Sequence, residues 1–381
     1  MKALVFSGGG AKGAYQMGVW KALKKLNMKF DIVTGTSIGA INGMMYVQNN
    51  YYKCLKLWNS IDFAALYDNF EVKEDKDILK NYADKIIKGG IDTKKIEKII
   101  YNVYNPTKLY NSKMGYGIVT YNLTDKEVLY ATKKNTNPKK MKEYILASAT
   151  CFPVFKPTTV GKDKFIDGGY YDNLPINLAI ELGAKEVLAI DLEAIGIVKR
   201  VNDENIKIEY IRPTSKLESI LMFEKKAIKR MINLGYNDTM KYFKKLDGKV
   251  YTFKKGTINK LYNLYKEKIV DISKKYDINI KEFNKLSQMR KLIEDAFELF
   301  ELPVDKIYSY KEVIQILNKS INNVEEVKID SYEDILKVFD KKILIKYIYT
   351  KMNNSDKINY NIFNLLYKEL NTAIFLQAIK R

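Results

Sequence analysis

Residues 2–47 read KALVFSGGGAKGAYQMGVWKALKKLNMKFDIVTGTSIGAINGMMYV, and their pattern decides the fold. Lys2 to Phe6 has the form of a short buried strand. Ser7 to Gly13 is a glycine-rich loop. From Ala14 to Leu26, the apolar residues Tyr15, Val19, Ala22, Leu23 and Leu26 recur on one face of a helix. Asp31 to Thr34 predicts a second strand, Gly35 to Gly39 a tight turn, and Ala40 to Val47 a second helix. Strand, helix, strand, helix is the signature of a mostly parallel sheet covered by helices, an α/β architecture.

Working outward, residues 51–110 are helical and tyrosine-rich, with a mixed-charge stretch from Glu71 to Lys80. Gly117–Asn122 and Val128–Thr132 predict strands, and Asn137-Pro138 opens a helix with proline at its first position. Phe165-Ile166-Asp167 ends a strand in the turn Gly168-Gly169. Pro175–Leu182 predicts a helix stopped by Gly183, and Glu186–Leu192 a further buried strand. Leu221–Leu234 predicts a helix stopped by Gly235. Beyond Gly256 glycine almost vanishes, and Ile258, Leu261, Tyr262, Tyr265 and Ile269 form an apolar stripe. Ser309-x-x-Glu312 has capping-box form and Ser331-x-x-Asp334 resembles one. The expected division is 1–250 and an all-helical region 251–381. Without low-complexity linkers, the two parts are expected to pack together.

Composition narrows the chemistry. The chain has 381 residues, two cysteines (Cys54 and Cys151) and no histidine. Two thiols make no disulfide framework, which fits a reducing cytoplasm. Without imidazole, Ser-His-Asp and Cys-His mechanisms and histidine-ligated zinc are excluded, and two cysteines cannot make a four-cysteine zinc site. The chain opens directly into the Lys2–Phe6 strand with no signal-peptide core, and no run of 18 apolar residues offers a membrane span. Net charge is +20; residues 1–200 hold 30 basic and 20 acidic side chains and residues 201–381 hold 35 and 25, so no basic arm exists. Only Arg200, Arg212, Arg230, Arg290 and Arg381 are arginine, which disfavours nucleic-acid readout. The charge reads either as a solvated surface or as attraction to an anionic membrane.

Three motifs can carry chemistry. Gly8-Gly9-Gly10-Ala11-Lys12-Gly13 satisfies the G-x-G-x-x-G pattern, which serves a dinucleotide site, a structural turn, or an oxyanion hole of closely presented backbone N–H groups. The dinucleotide reading wants an acid at the end of the second strand, whereas Asp31 lies at that strand's beginning. Gly35-Thr36-Ser37-Ile38-Gly39 is a G-x-S-x-G elbow that would push a serine hydroxyl out at a helix N-terminus, with the Ile38 N–H placed to stabilise an oxyanion. The alternative is a serine that merely caps the helix. Asp167-Gly168-Gly169, flanked by Ile166 and Tyr170, reads on its own as a hairpin turn. An exposed serine nucleophile needs a base. Imidazole is absent and none of the 13 serines has lysine three residues on, so a carboxylate remains.

These blocks, in this order, resemble the patatin-like phospholipases, acyl hydrolases with a Ser-Asp dyad. Ala147-Ser148-Ala149, Pro153, Phe155, Pro157, Asn173, Pro175, Gly183-Ala184 and the later Gly235-Tyr236-Asn237-Asp238-Thr239 extend the resemblance over residues 1–250. It implies a three-layer α/β/α domain, with Ser37 as nucleophile, Asp167 as base, and the backbone of Gly8, Gly9 and Gly10 with Ile38 as oxyanion hole. Lys12, Gly13, Gly35, Gly39, Gly168 and Gly169 complete the motifs. It further implies a lipid or phospholipid ester as substrate and no metal or organic cofactor. Cys151 stands where the pattern suggests a small residue and reads as a small hydrophobe. Tyr51, Tyr52, Leu55, Trp58, Phe63 and Leu66 read either as core or as the lining of an acyl site. A dinucleotide-binding oxidoreductase and a catalytically silent lipid-binding relative are the competing functions.

Overall fold

Every residue of the run Ala3–Phe6 is buried, as is every residue of Ile32–Thr36, and these two runs form adjacent strands at the centre of a sheet. The computed structural model describes residues 1–61, 90–276, 283–327, 340–354 and 366–380. Phe63, Leu66, the Glu71–Lys80 stretch and the Ser331-x-x-Asp334 pattern lie outside them.

The chain divides into two compact units, Met1–Thr239 and Met240–Arg381. The first is an eight-stranded sheet. Its strands are β1 (Lys2–Phe6), β2 (Ile32–Thr36), β3 (Gly115–Asn122), β4 (Glu127–Thr132), β5 (Thr158–Val160), β6 (Asp163–Asp167), β7 (Glu186–Ile190) and β8 (Lys207–Ile211). The order is β5-β6-β3-β2-β1-β7-β8, with β4 also paired to β3. β3, β2, β1, β7 and β8 run parallel, while β4, β5 and β6 pair antiparallel.

Helices cover both faces, giving three layers. The helices are α1 (Gly13–Lys25), α2 (Ile38–Val47), α3 (Tyr51–Ser60), α4 (Lys94–Val103), α5 (Pro106–Asn111), α6 (Pro138–Ser148), α7 (Ile176–Glu181) and α8 (Lys225–Tyr242). Side chains alternate along each strand. Ala3 and Val5 pack with Ile176 and Ala179 of α7, whereas Phe6 turns to the α2 face and meets Tyr46 at 6.1 Å between rings. α5 and α6 both open on Asn-Pro: Asn105 Oδ1 accepts the Lys108 N–H (2.9 Å) and Asn137 Oδ1 the Lys140 N–H (3.0 Å).

Two expectations fail in this unit. Gly235 does not stop a helix, because α8 begins at Lys225 and continues through it to Tyr242. Its reason is packing. A Cβ on Gly235 would lie 2.0 Å from the Tyr15 carbonyl oxygen, and one on Gly18 would lie 1.9 Å from that of Ile232. The two glycines let α1 and α8 cross almost backbone to backbone. Asp167-Gly168 is likewise no hairpin: β6 ends at Asp167 and runs into a 3-10 turn, Gly168–Tyr170.

The second unit is not all-helical, contrary to the expectation from the pattern after Gly256. It contains a three-stranded sheet of β9 (Leu246–Asp247), β10 (Thr252–Lys254) and β11 (Ile307–Tyr308). Two- and three-residue strands leave no periodicity to read. Its helices are α9 (Thr257–Lys275), α10 (Leu286–Leu299), α11 (Tyr310–Asn322), α12 (Lys341–Asn353) and α13 (Tyr367–Ile379). The Ser309–Glu312 capping box is present: the Ser309 N–H reaches Glu312 Oε2 at 2.7 Å. α13 is buried almost all round, from Glu369 to Ile379, and the other four helices among the described residues of this unit pack on it. Among the described residues, no helix is long and apolar enough to cross a membrane.

The α1–α8 crossing makes a signed prediction. Gly→Ala inside a helix ordinarily stabilises by up to about 1 kcal/mol. Here Gly235→Ala and Gly18→Ala are each expected to destabilise by about 1–3 kcal/mol, because the added methyl drives the helices apart. Thermal unfolding followed by circular dichroism checks this; a raised Tm would contradict the crossing.

Candidate active site

Ser37 and Asp167 meet because two strands share one edge of β3. β2 occupies that edge up to the pair Thr36–Val119, and β6 takes it over from the pair Asp167–Thr120. The two strands run toward each other, so their last residues meet end to end. Ser37 is the next residue after β2 and Asp167 is the last of β6. Both side chains face one cavity, and Ser37 is near enough to the Asp167 carboxyl to favour its charged form.

The elbow is strained and braced. Ser37 has φ +57°, a left-handed conformation that is uncommon outside glycine. Its N–H donates to Ser148 Oγ (2.9 Å), and the Ser148 hydroxyl donates to the Val119 carbonyl (2.6 Å). The glycines on either side are required by close approach: a Cβ on Gly35 would lie 2.3 Å from the Gly39 carbonyl oxygen, and one on Gly39 would lie 2.3 Å from that of Phe6. Thr36 Oγ1 donates to the Asp172 carbonyl (2.7 Å) and Thr34 Oγ1 to that of Pro175 (2.9 Å), tying β2 to the segment after the Asp-Gly-Gly turn.

Asp167 is 5% exposed. Its Oδ1 accepts the Gly169 N–H at 2.7 Å and its own N–H donates to the Thr150 carbonyl at 3.1 Å. Burial pushes its carboxyl up from 3.8 to about 6, against the lowering effect of Ser37 and of the Gly169 hydrogen bond. Gly168 seats the turn against Val119, where a Cβ would lie 2.2 Å from the carbonyl oxygen. Asp172 is also raised to about 6 by burial; its Oδ1 accepts the Leu174 N–H, and its Oδ2 has no partner among the described residues.

The glycine-rich loop divides its work. The Gly8 N–H donates to the Asn173 carbonyl (3.0 Å), so it is committed and is not presented to a substrate. Gly8 serves by smallness, since a Cβ there would stand 3.0 Å from Ser37 Cβ and 2.2 Å from Asn173 Oδ1. Gly9, Gly10 and Ile38 line the cavity in front of Ser37. Lys12 Nζ reaches the Glu193 carbonyl at 3.5 Å, and Gly13 lets the start of α1 touch Ile38. Asp31 receives the Lys2 N–H at 2.8 Å at the opposite end of β2 from this loop, so the geometry brings no acid to a ribose.

That cavity is ≈ 540 Å³. Its floor holds Ser37 and Asp167, and its walls are Leu57, Trp58, Ile61, Ile96, Ile99, Ile100, Phe155 and Phe223. Of the residues first read as core or acyl site, Trp58 is both, buried and lining; Tyr51 is buried against Trp20, Leu55 is half-buried outside the cavity, and Tyr52 is 76% exposed. Cys151 is half-buried and lines the cavity beside Asp167, where burial and that carboxylate push its thiol up to about 11.

Sequence reasoning missed the buried network beneath the loop. Gln16 Nε2 donates to the Ser7 carbonyl (2.8 Å), Asn42 Nδ2 to Gln16 Oε1 (2.8 Å), and Trp58 Nε1 to Asn42 Oδ1 (3.1 Å). The available signal was an amide inside each of two apolar helices, at Gln16 and Asn42. Ser148 stood within a quoted motif, but its role as a bracket for the elbow depends on long-range pairing.

The buried carboxylate bears on stability. The folded chain holds the Asp167 proton more tightly than the unfolded chain between pH 3.8 and about 6. That stabilisation is fully present below 3.8 and is lost as pH rises through about 6. Asp167→Asn is therefore expected to raise stability at pH 7.5 by about 1–3 kcal/mol, with the gain fading toward pH 4. Thermal unfolding of both proteins from pH 4 to 8 checks the sign; a loss of stability at pH 7.5 would contradict it.

A family model described as patatin-like phospholipase matches residues 4–180. Patatin-like phospholipase domain-containing protein 7 of Rattus norvegicus is 29% identical over 196 residues, 50% of this chain and 13% of that protein. Patatin-like phospholipase domain-containing protein 6 of Homo sapiens is 28% identical over 194 residues, again 50% and 13%. Lysophospholipase NTE1 of Kluyveromyces lactis is 25% identical over 203 residues, 50% and 12%. The match thus spans a small part of these relatives' length. Among solved structures, VipD from Legionella pneumophila aligns with TM-score 0.42 and 15% identity, covering 100% of this chain and 90% of that one.

Proposed function

Since residues 4–180 belong to the patatin-like phospholipase family, we propose that the protein hydrolyses carboxylic esters of lipids through a Ser37 acyl-enzyme, with Asp167 as general base. The observation that carries this reading is the end-to-end meeting of β2 and β6 on β3, which brings Ser37 and the buried Asp167 carboxylate into one apolar cavity.

Asp167 accepts the Ser37 proton as Oγ attacks the ester carbonyl. The developing oxyanion is held by the Gly9, Gly10 and Ile38 N–H groups, at the N-terminus of α2. Asp167 then gives the proton to the departing alcohol, leaving an acyl-Ser37 ester. Water enters, Asp167 takes its proton, and the acid leaves. A carboxylate at its ordinary value would be a poor base for serine. Raised to about 6, Asp167 is more basic yet still ionised at neutral pH, the compromise that general-base catalysis favours. The apolar walls suit an acyl chain and exclude water from the reacting atoms.

A fluorophosphonate probe should label Ser37, and Ser37→Ala should abolish both labelling and ester hydrolysis. Asp167→Asn should lower the acylation rate about 10²–10⁴-fold. The wild-type rate should fall on acidification with a midpoint near 6, and Asp172→Asn should keep that limb. Single-turnover hydrolysis of a chromogenic ester measures all of these. A folded Asp167→Asn variant within about tenfold of wild type would remove Asp167 from the base role. A folded wild type that binds lipid but never acylates would favour a silent lipid-binding relative.

A further inference from the structure

The cavity opens through a rim that is at once cavity wall and bare surface. Ile195 is 91% exposed, Ile197 52%, Phe152 43% and Tyr170 43%, and all four also line the cavity. Val198, 53% exposed, extends the same loop outward. A single exposed isoleucine needs no explanation, but apolar residues from three separate segments gathered around one opening do.

The rim is held, not loose. The Ile197 N–H donates to the Gly169 carbonyl (2.9 Å), and the Asn173 N–H donates to the Ile197 carbonyl (2.6 Å). The loop bearing Ile195 is thus pinned to the turn that carries Asp167. Tyr170 is tied in turn to segment 151–156 through its hydroxyl, which donates to the Phe152 carbonyl. The exposure therefore belongs to a built surface.

Its charge identifies the partner. Segments 151–156 and 195–200 carry Lys156, Lys199 and Arg200; Arg200 is paired with Glu204 at 3.1 Å, so Lys156 and Lys199 are the cations that flank the rim. Lys199 Nζ lies 3.8 Å over the Tyr171 ring beside the turn. Apolar tips in front of cationic flanks match an interface with hydrocarbon below and anionic headgroups above. We propose that Phe152, Tyr170, Ile195, Ile197 and Val198 are the surface by which the protein docks on an anionic phospholipid bilayer. Docked in this way, the opening faces the lipid, and an acyl chain passes into the cavity without crossing water. The direction of that passage rests on the esterase reading above; the docking surface does not.

Flotation of the full-length chain with vesicles tests it, using Ser37→Ala protein so that the lipid is not consumed. The vesicles are phosphatidylcholine alone or mixed with phosphatidylglycerol. Ser37→Ala protein should float with the mixed vesicles. Adding Ile195→Asp and Val198→Asp should weaken partitioning about tenfold or more. Adding Lys156→Glu and Lys199→Glu should weaken it on mixed vesicles only. Ile195→Ser with Val198→Ser repeats the apolar test without added charge, and circular dichroism confirms that each variant is folded. Unchanged flotation of both apolar variants would overturn the proposal. So would light scattering that shows a dimer broken by them, because the rim would then seat a second copy of the chain. Flotation without hydrolysis of any ester would remove the esterase reading and leave the docking surface standing. Hydrolysis of a soluble ester without flotation would do the reverse.

Discussion

One edge of β3 is divided between two strands, and the candidate site depends on that division. β2 runs parallel to β3 and stops at Thr36; β6 runs antiparallel to it and stops at Asp167. Neither strand can extend without displacing the other. The elbow at Ser37 and the turn at Gly168 are the two exits from this collision. Each exit is closed by small residues where a side chain would clash: Gly35 and Gly39 on one side, Gly168 on the other. Ser148 holds both partners of the arrangement, since it binds the Ser37 N–H and the Val119 carbonyl on the shared edge. The juxtaposition of hydroxyl and carboxylate therefore comes from sheet topology, and no side chain has to reach for it.

The absence of histidine makes the surroundings of Asp167 matter more than they would around an imidazole. A solvated carboxylate is a weak base for an alcohol. Burial is the lever that raises it here, and Ser37 and the hydrogen bond from Gly169 set how far the rise goes. An ionised carboxylate at this depth costs the fold stability at neutral pH. Ser37 and Asp167 are thus held together by sheet pairing against an electrostatic penalty, the physical form expected of the reactive site proposed above.

Much of the first unit was legible because its signals are local. Buried strands, glycine loops and amphipathic helices announce themselves within a dozen residues. Where the reading failed, the deciding contact was distant. Gly235 has the local form of a helix stop, yet its partner is the Tyr15 backbone, 220 residues earlier in the chain, and only that contact shows it to be a crossing point. Asp167-Gly168 has the local form of a hairpin, but a hairpin and a strand exit differ only in which strand lies beyond the turn on the sheet. Beyond Asp167 on the β3 edge lies the end of β2, which no local signal announces. The small sheet of the second unit was invisible because strands of two or three residues have no period to detect. The elbow and the carboxylate could be paired in advance only through elimination of every other base and through resemblance.

The glycine-rich loop shows why a motif cannot be assigned from its spacing alone. G-x-G-x-x-G states that the backbone must come close to something, and a pyrophosphate or an ester oxygen would satisfy it equally. What distinguishes them is the residue opposite. Gly8 stands where a Cβ would press on Ser37, and its N–H is spent on Asn173. The loop's later residues Gly9 and Gly10 line a cavity that also contains Ser37 and Asp167, and the nearest candidate for a ribose acid, Asp31, is bonded to Lys2 at the far end of β2. A diphosphate would have to share this space with a serine hydroxyl and a buried carboxylate, whose negative charge would repel it. In the mechanism proposed above, an oxyanion forming on a carbonyl attached to Ser37 would meet no such conflict, since Asp167 would by then have taken up the serine proton and be neutral.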